Sequence, residues 1–387
     1  MIYKTERLGD YIDILSGFAF NSKDFTDKGV PVIKIKNINP PSVTLDDLSY
    51  VSNEIADKQK KFILSYDDVL IAMTGSHINQ WASVVGRVAR VKYTDKTLLN
   101  QRVGKVIIKE NAEADINYIY YFLSQDKVKF ELAAKAGGAA NQANISPTHI
   151  KELVFPCPGL DVQTKIANIL RVYDDLLENN QKQIRLLEEA AQWLYKEWFV
   201  NLRFPGYEDV AIIDDMPEGW HRGLLKELVN VNYGKDHKKA PDDGDIPVYG
   251  SGGLMRKCNK SLFNGEAVLI PRKGSLNHIM YVNEEFWTVD TMFYATLKKE
   301  HTALFVYFFI SGLDMYSMNI GAAVPSMTVK ILDALDVIIP SDDMFVKFDD
   351  AAQVFFQRIA VLRKQSEKLE QARDRLLSKL MSGEIEV

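Results

Sequence analysis

The chain has 387 residues, 47% of them hydrophobic, with a formal net charge of −5 at pH 7 and two cysteines. This length suits two or three domains, each able to bury its own core, and the mildly acidic total argues against a generally basic coat for nucleic acid. Cys157 and Cys258 have neither disulfide nor zinc-ligand spacing, and no stretch resembles a signal peptide or a membrane span. We therefore expect a soluble cytoplasmic protein with free thiols and no metal site.

Residues 1–158 contain short segments rich in β-branched and aromatic residues, separated by Gly, Asn and Pro. This pattern predicts a first α/β domain built on short strands. In residues 159–200 the pattern changes, and apolar residues recur every seven positions. One series consists of Leu170, Leu177, Ile184, Ala191 and Trp198. A second consists of Tyr173, Leu187 and Leu194, with Asn180 as its polar exception. This spacing predicts a long coiled-coil helix over residues 163–200.

Residues 201–220 are turn-rich and acidic, and they predict a linker. Residues 221–341 then predict a second α/β domain, and residues 342–387 a second long helix with its tail. The apolar positions of this second helix are Ala352, Phe355, Ile359, Leu362, Leu369, Leu376 and Leu380. The two helices share a register, because Leu187 and Leu369 are separated by 182 residues, as are Leu194 and Leu376.

The two α/β domains also correspond, although more loosely. Four segments of the first domain match segments of the second in the same order. The pairs are "GVPVIKIKNI" (29–38) with "DIPVYGSGG" (245–253), "YDDVLIAMTGS" (66–76) with "NGEAVLIPRKGS" (264–275), "INYIYYFLSQ" (116–125) with "ALFVYFFISG" (303–312), and "ELVFPCP" (152–158) with "LDVIIPS" (335–341). Repeated similarity in one order indicates an internal duplication.

Two short motifs resemble parts of an adenine methyltransferase. Asn39-Pro40-Pro41-Ser42 is similar to the loop that holds the target amine, and Tyr249-Gly250-Ser251-Gly252-Gly253 to the loop that holds S-adenosylmethionine. The alignment of Pro31 with Pro247 places both loops after the same strand of two copies, whereas a methyltransferase needs two different loops around one sheet. Ser42 also replaces the aromatic residue that would stack on a flipped base. We predict turns here, and keep a degenerate single-chain methyltransferase as an alternative.

No other catalytic pattern is present in the sequence. There is no Gly-x-x-x-x-Gly-Lys-Ser/Thr loop for nucleotide hydrolysis, and the six histidines are scattered without ligand spacing. We therefore assign no catalytic residue.

Each α/β domain carries a basic band although the whole chain is acidic. Arg87, Arg90, Lys92, Lys96, Arg102, Lys105 and Lys109 form the first band, and Arg256, Lys257, Lys260, Arg272 and Lys273 form the second. Such bands suit contacts with phosphates. The adjacent stretches "TGSHINQW" (74–81) and "RKGSLNH" (272–278) offer side chains that can pair with base edges. For any single residue, a solvated face or ordinary turn chemistry is the alternative.

The candidate DNA-binding residues combine these bands and loops with polar neighbours. They are Lys34, Lys36, Asn37, Thr74, Ser76, His77, Asn79, Gln80, Arg87, Gln101, Arg102, Tyr249, Ser251, Arg256, Lys257, Arg272, Lys273, Ser275, Asn277 and His278. The aromatic cluster Trp193, Tyr195, Trp198 and Phe199 exceeds what one coiled-coil seam can bury. These four are candidates for partner binding, with packing against the domain core as the alternative.

The chain resembles the specificity subunit of type I restriction-modification systems over essentially its full length. The resemblance is carried by "LSGFAFNSKDF" (15–25), "GVPVIKIKNI", "LLNQRVG" (98–104), "IPVYGSGG" and, most specifically, "QKQIRLLEEAAQWLYKEWF" (181–199). It implies an α+β fold with two target-recognition domains in tandem, each followed by a long helix, and an antiparallel coiled coil of the two helices. It also implies a chain without an active site of its own.

The partners implied by this resemblance are double-stranded DNA and two methyltransferase subunits, which use S-adenosylmethionine to modify adenine at N6. Two ATP-driven restriction subunits can join them, and no cofactor is expected in this chain. The second domain, with "NYGKDHKKAPDDGDIPVYGSGG" (232–253), is typical of a different recognition-domain subtype from the first. The two halves of the DNA site should therefore differ. A coiled-coil scaffold that does not bind DNA is a further alternative.

Overall fold

The computed structural model describes residues 3–75, 85–137, 143–319, 321 and 324–387. Contacts between Cα atoms divide the chain into two compact units: unit 1, Met1–Asn179 with Gln365–Val387, and unit 2, Asn180–Lys364. Each unit therefore contains one α/β region and a part of each long helix. The domain and linker boundaries assigned from the sequence remain predictions.

The described part of unit 1 contains short strands and helices. The strands are β1 Thr5–Arg7, β2 Ile12–Ser16, β3 Phe25–Thr26, β4 Val30–Ile33, β5 Ile38–Asn39, β6 Ser42–Val43, β7 Ser49–Val51, β8 Val69–Ala72, β9 Thr74–Gly75, β10 Val88–Arg90, β11 Leu98–Leu99, β12 Val103–Ile108, β13 Ala143–Asn144 and β14 Val154–Pro156. The helices are α1 Asn53–Lys58, α2 Ile116–Ser124, α3 Asp126–Ala134, α4 Pro147–Lys151 and α5 Leu160–Tyr195, which a π-helical turn, Lys196–Val200, extends.

Two sheets carry most of these strands. One has the order β2-β12-β8-β10-β6-β5 and the other the order β11-β4-β7-β3. In the first sheet, neighbouring strands run antiparallel except β10 and β6, which run parallel. A separate antiparallel pair of β1 and β14 brings the two ends of the α/β region together just before α5 begins.

The described part of unit 2 has the following strands and helices. The strands are β15 Ile212–Ile213, β16 Met216–Pro217, β17 His221–Leu224, β18 Val229–Tyr233, β19 Ile246–Gly250, β20 Gly253–Cys258, β21 Phe263–Pro271, β22 Met280–Thr288, β23 Met292–Leu297 and β24 Asp336–Ile339. The helices are α6 Ala303–Ser311, α7 Val329–Asp333 and α8 Asp342–Ser382, whose last part belongs to unit 1.

The sheet of unit 2 confirms the internal duplication. Its order is β18-β23-β21-β22-β19-β20, with β22 and β19 as the parallel pair. The matched segments 66–76 and 264–275 thus supply β8 and β21, which hold the same place in their sheets. Segments 116–125 and 303–312 supply the helices α2 and α6, and the final matched pair supplies β14 and β24, which close their regions against β1 and β17.

One predicted correspondence is wrong, namely the alignment of Pro31 with Pro247. Pro31 lies in β4, between β11 and β7 in the four-stranded sheet, whereas Pro247 lies in β19 of the six-stranded sheet. By sheet order the counterpart of β19 is β6, since each is parallel to its inner neighbour. The Pro40-Pro41 turn and the turn after Gly250 both close an edge hairpin, but the order of the two hairpin strands is reversed. The short motifs around Pro31 and Pro247 had suggested equivalent strands, and the strand pairing contradicts this.

The heptad pattern of the long helices is confirmed. Helix α5 has 36 residues and α8 has 41. Buried positions in their two series are Leu170, Leu177, Ala191, Trp198, Ala352, Ile359, Leu362 and Leu380. Within unit 2, the ring of Trp198 lies 5.8 Å from that of Phe348, and Glu188 forms an ion pair of 2.9 Å with Arg363. From Glu188 to Trp198 the residue numbers rise along the first helix, while their contacts fall from Arg363 to Phe348 along the second. The two helices therefore form an antiparallel coiled coil.

The segment between α5 and β17 is anchored at both ends. Phe204 and Trp220 are buried in the core of unit 2, with ring centroids 5.1 Å apart.

Within the described ranges, none of the helices combines the length and apolarity that crossing a bilayer requires.

Candidate nucleic-acid interface

Four predicted reading residues, Ser76, His77, Asn79 and Gln80, lie outside the described residues. The first residue of that stretch, Thr74, is described and is buried. Its hydroxyl donates to Oδ1 of Asn144 over 2.8 Å, across the β9–β13 pair. Thr74 therefore joins two strands, and its side chain is not available to a base.

The predicted residues after β4 divide between structural and exposed roles. Asn37 is buried; its Oδ1 accepts from the backbone N–H of Lys34 over 3.0 Å and its Nδ2 donates to the carbonyl of Asp46 over 2.9 Å. Lys34 donates to Ser49 Oγ over 2.8 Å and lies over the Phe25 ring, and burial lowers the pKa of its ammonium group. Lys36 is exposed, in an ion pair with Asp47.

Gln101 and Arg102 form the exposed turn between β11 and β12. Backbone bonds hold this turn: the N–H of Gln101 donates to the carbonyl of Phe18 over 2.9 Å, and that of Asn100 to Ile33 over 3.1 Å. Two solvent-facing side chains on a fixed turn suit contact with a phosphate or a base edge. Arg87, by contrast, is half-buried beside β10.

In unit 2 the structure brings two predicted stretches together. His278 donates from Nδ1 to the carbonyl oxygen of Ser251, at 3.0 Å. Gly274 has φ +89°, and a Cβ placed on it would lie 3.0 Å from the hydroxyl of Ser251. Loop 272–278 therefore packs closely on the hairpin turn between β19 and β20, and glycine permits both the backbone angle and the approach.

The exposed side chains of this loop are available to a ligand. Lys273, Ser275, Asn277 and His278 are all exposed. Arg272 is held from below, because its Nη1 donates to the carbonyl of Asp290 over 3.1 Å and its guanidinium lies 5.4 Å from the centroid of the Tyr233 ring. The loop combines positive charge with amide and hydroxyl groups on a fixed backbone, which is the chemistry that reading DNA requires.

The three remaining predicted residues of unit 2 lie on the edge hairpin with different roles. Arg256 forms an ion pair with Asp242 and donates to the carbonyl of Ala240 over 2.8 Å, so it fastens the preceding loop. Tyr249 donates to Glu284 over 2.6 Å across the sheet. Lys257 is exposed, and of the three its side chain is the one most open to a phosphate.

Sequence reasoning missed two neighbours of this loop. Leu254 and Met255, on β20, are 57% and 54% exposed. Beside the hairpin lies a cavity of about 340 Å³, lined in part by His237, Ser251 and Met255. Three exposed lysines, Lys235, Lys238 and Lys239, flank His237 in the sequence. The basic composition of "GKDHKKA" (234–240) could have indicated these lysines. No sequence pattern indicated that Leu254 and Met255 would be exposed.

The predicted partner-binding aromatics separate into buried and exposed residues. Trp198 and Phe199 are buried in the core of unit 2, with Phe199 4.9 Å from both Phe305 and Phe348. Tyr195 stacks on Phe308 at 5.6 Å, and burial raises the pKa of its phenol. Packing therefore accounts for these three. Trp193 is 62% exposed and is the member of the cluster that a partner can reach.

Within the described ranges, His, Cys, Asp and Glu side chains do not gather into a group of three that could hold a metal ion. Cys157 and Cys258 are both free thiols.

Comparison with known proteins identifies relatives over most of the chain. The sequence profile of the type I restriction modification DNA specificity domain matches twice, at residues 3–189 and 217–371. The type I restriction enzyme MjaIX specificity subunit of Methanocaldococcus jannaschii is 27% identical over 345 residues, which cover 78% of this chain and 76% of the relative. A candidate MjaX specificity subunit of the same organism is 24% identical over 100% of this chain and 94% of its own length.

A solved structure has the same fold. The S subunit of a type I restriction-modification system from M. genitalium has a TM-score of 0.59 at 19% identity, and the alignment covers 98% of this chain and 96% of that one. At this identity the likeness bears on the fold alone. The aligned part includes both α/β regions and both long helices, because it covers 98% of this chain.

Proposed function

Because this chain belongs to the family of type I restriction-modification DNA specificity domains, we propose that it reads a split, asymmetric DNA site and positions adenine-N6 methyltransferase subunits on it. One half-site is read by each unit. The observation that carries this proposal is the duplicated platform: both units have a six-stranded sheet whose first four strands share one order, with a hairpin at its edge. The hairpins and their loops differ, which favours two different half-sites.

In this proposal the long helices are the spacer between the two DNA-reading regions. At about 1.5 Å per residue, a helix of 36 residues is roughly 54 Å long, and one turn of DNA measures about 34–36 Å. A rod of this length can hold two reading regions over separate major-groove segments. We expect an insertion of one helical turn to change the number of unread base pairs.

The chemistry belongs to partner chains in this proposal. S-adenosylmethionine binds to two methyltransferase subunits, and two ATP-dependent restriction subunits can complete the assembly. We expect no catalytic residue in this chain, because both turns that resembled methyltransferase loops join adjacent strands of a hairpin, and neither leads into the helix that a cofactor loop precedes. Trp193 is the candidate contact with a methyltransferase subunit.

Single-molecule sequencing of adenine methylation in the host tests the proposal. A strain that carries this chain with its methyltransferase subunits should show one split, non-palindromic motif, and deletion of this chain should abolish it. A motif that survives the deletion, or a palindromic motif, would contradict the proposal. As a control, the isolated chain should bind DNA in a salt-dependent manner and should fail to bind S-adenosylmethionine.

A further inference from the structure

In unit 1, a carboxylate two residues before β8 is bonded to the first long helix. Asp67 accepts from Nη2 of Arg171, on α5, over 2.9 Å, and its other oxygen lies 3.0 Å from Nζ of Lys92. All three side chains are about one-third exposed or less. Burial alone would raise the pKa of Asp67, but Lys92 and Arg171 hold it below its ordinary value. The contact is therefore a partly buried, charge-assisted pair between sheet and helix.

Unit 2 has a bond of the same kind with different side chains. Glu266, at the start of the buried part of β21, accepts from Nε2 of Gln353, on α8, over 3.0 Å. Tyr281 donates its hydroxyl to the same carboxylate oxygen and accepts from Gln353 over 3.0 Å. A neutral amide and a phenol thus replace the two cations of unit 1.

The two bonds occupy equivalent positions in the duplication. Aligning "VLI" of β8 with "VLI" of β21 separates equivalent strand residues by 199 positions, and Asp67 and Glu266 differ by this number. The helices are offset by 182 positions, and Arg171 and Gln353 differ by that number. The third member differs: Tyr281 pairs with Val268 as Arg90, not Lys92, pairs with Val69. We call each bond a sheet–helix clasp.

We propose that Asp67 with Arg171, and Glu266 with Gln353, are positioning residues that fix the tilt of each recognition region on its helix, and thereby the number of base pairs between the half-sites. This rests on the proposed function. Apolar packing tolerates small rotations, whereas a hydrogen bond between fixed groups loses strength within a few tenths of an ångström and a few tens of degrees.

The distance between a reading loop and the helix turns a small tilt into a large displacement of the loop. A reading loop lies about 20 Å from the helix in a domain of this size. A tilt of about 10° moves such a loop by roughly 3.5 Å, which is close to the rise of about 3.4 Å per base pair. A clasp that limits the tilt to a few degrees therefore separates one gap length from the next, and loss of the clasp should admit gaps one base pair longer or shorter.

The test uses the full chain with Arg171→Met, assembled with its methyltransferase subunits in the host, and sequencing of adenine methylation. We expect the same two half-sites, with methylation of sites one base pair longer or shorter rising about tenfold, which corresponds to about 1.4 kcal/mol. The double variant Asp67→Glu/Arg171→Gln installs the pair of unit 2 and should restore the single gap. Arg185→Met, which removes an exposed pair with Glu189 on the same helix, is the matched control and should leave the gap unchanged.

Gln353→Leu tests the clasp of unit 2 without leaving a helix charge unpaired. It should also allow methylation of sites whose gap is one base pair longer or shorter. It decides the question if Arg171→Met fails to fold. If folded variants of both clasps keep a single gap at wild-type efficiency while their unfolding free energy falls, the clasps only stabilise the fold and the proposal is wrong. If the wild-type chain itself directs no split motif, the proposed function fails instead.

Discussion

Replacement of Arg373 should reveal how unit 1 joins the ends of its two long helices. Arg373, on α8, donates from Nη1 to Asp174, on α5, over 2.9 Å, and Asp174 also accepts from the Tyr121 hydroxyl over 2.6 Å. The side chains of Asp174 and Arg373 are only 12% and 21% exposed. Removal of one partner from a buried pair costs about 3–5 kcal/mol because the other charge stays buried. The retained Tyr121 bond places Arg373→Ala at the lower end, at about 3 kcal/mol.

The duplication supplies the compensating change. At an offset of 182 residues, unit 2 has Phe356 in place of Asp174 and Ala191 in place of Arg373. In the matched helices, Phe308 of α6 holds the position of Tyr121 of α2. The rings of Phe356 and Phe308 lie 5.9 Å apart. Apolar residues of suitable volume can replace a buried ion pair at little cost. The variant Asp174→Phe/Arg373→Ala, with Tyr121→Phe, should therefore be more stable than Arg373→Ala alone.

Urea unfolding of the full chain, followed by circular dichroism, measures this difference. For Arg373→Ala, a loss of about 3 kcal/mol also corresponds to a fall in melting temperature of roughly 6–12 °C for a unit of this size. The reasoning would be refuted by a compensated variant that is no more stable than the single one. In that case the ion pair contributes something that apolar packing at this position cannot supply.

Three further outcomes are expected. Trp193→Ala should prevent assembly with the methyltransferase subunits without changing the unfolding free energy, whereas Trp198→Ala should cost about 3–5 kcal/mol; size-exclusion chromatography and urea unfolding separate the two effects. A hydrogen bond with Asp349, 2.8 Å long, raises the pKa of His301 above its ordinary value. The contact therefore stabilises the fold fully below about pH 6.5, and this stabilisation is lost as pH rises through the raised pKa. The urea midpoint of the wild-type chain should fall over this pH range, and in His301→Gln it should depend less on pH. Lys273→Ala should make the negative slope of log affinity against log salt shallower by about 1, and a filter-binding titration checks it.

The sequence predicted the parts of the fold that follow from periodic burial. Heptad spacing located both long helices and their seam, since Leu170, Leu177, Ile359 and Leu362 are buried as their positions require. The strand β8 and its counterpart β21 were matched because a fully buried strand needs a run of apolar residues, and both have one.

Other features depend on pairing between distant segments and could not be read from local patterns. The edge hairpins were aligned incorrectly because a proline in a short strand says nothing about which strand lies beside it. Asn37, Thr74 and Arg256 had the composition of a reading surface, yet each side chain bonds to the backbone of a nearby loop or to a neighbouring strand. Asn, Thr and Arg serve loops and DNA with the same donors and acceptors, so burial, and not residue type, separates these roles.

The duplication shows which features of the sheet–helix contact are required and which are not. Position by position, Arg171 corresponds to Gln353 and Asp174 to Phe356, so one contact surface is ionic and the other amide and aromatic. What both surfaces retain is an acid two residues before the Val-Leu-Ile run of the third strand of the sheet order, Asp67 or Glu266, with a helical donor directed at it. If the clasps set the tilt, a recognition region keeps its gap length on another chain only when the helix residue that faces its acid moves with it. A graft of residues 221–341 onto a helix with arginine at the donor position should keep its half-site preference while its gap length changes, because Glu266 is one methylene longer than Asp67 and would meet a longer, charged donor.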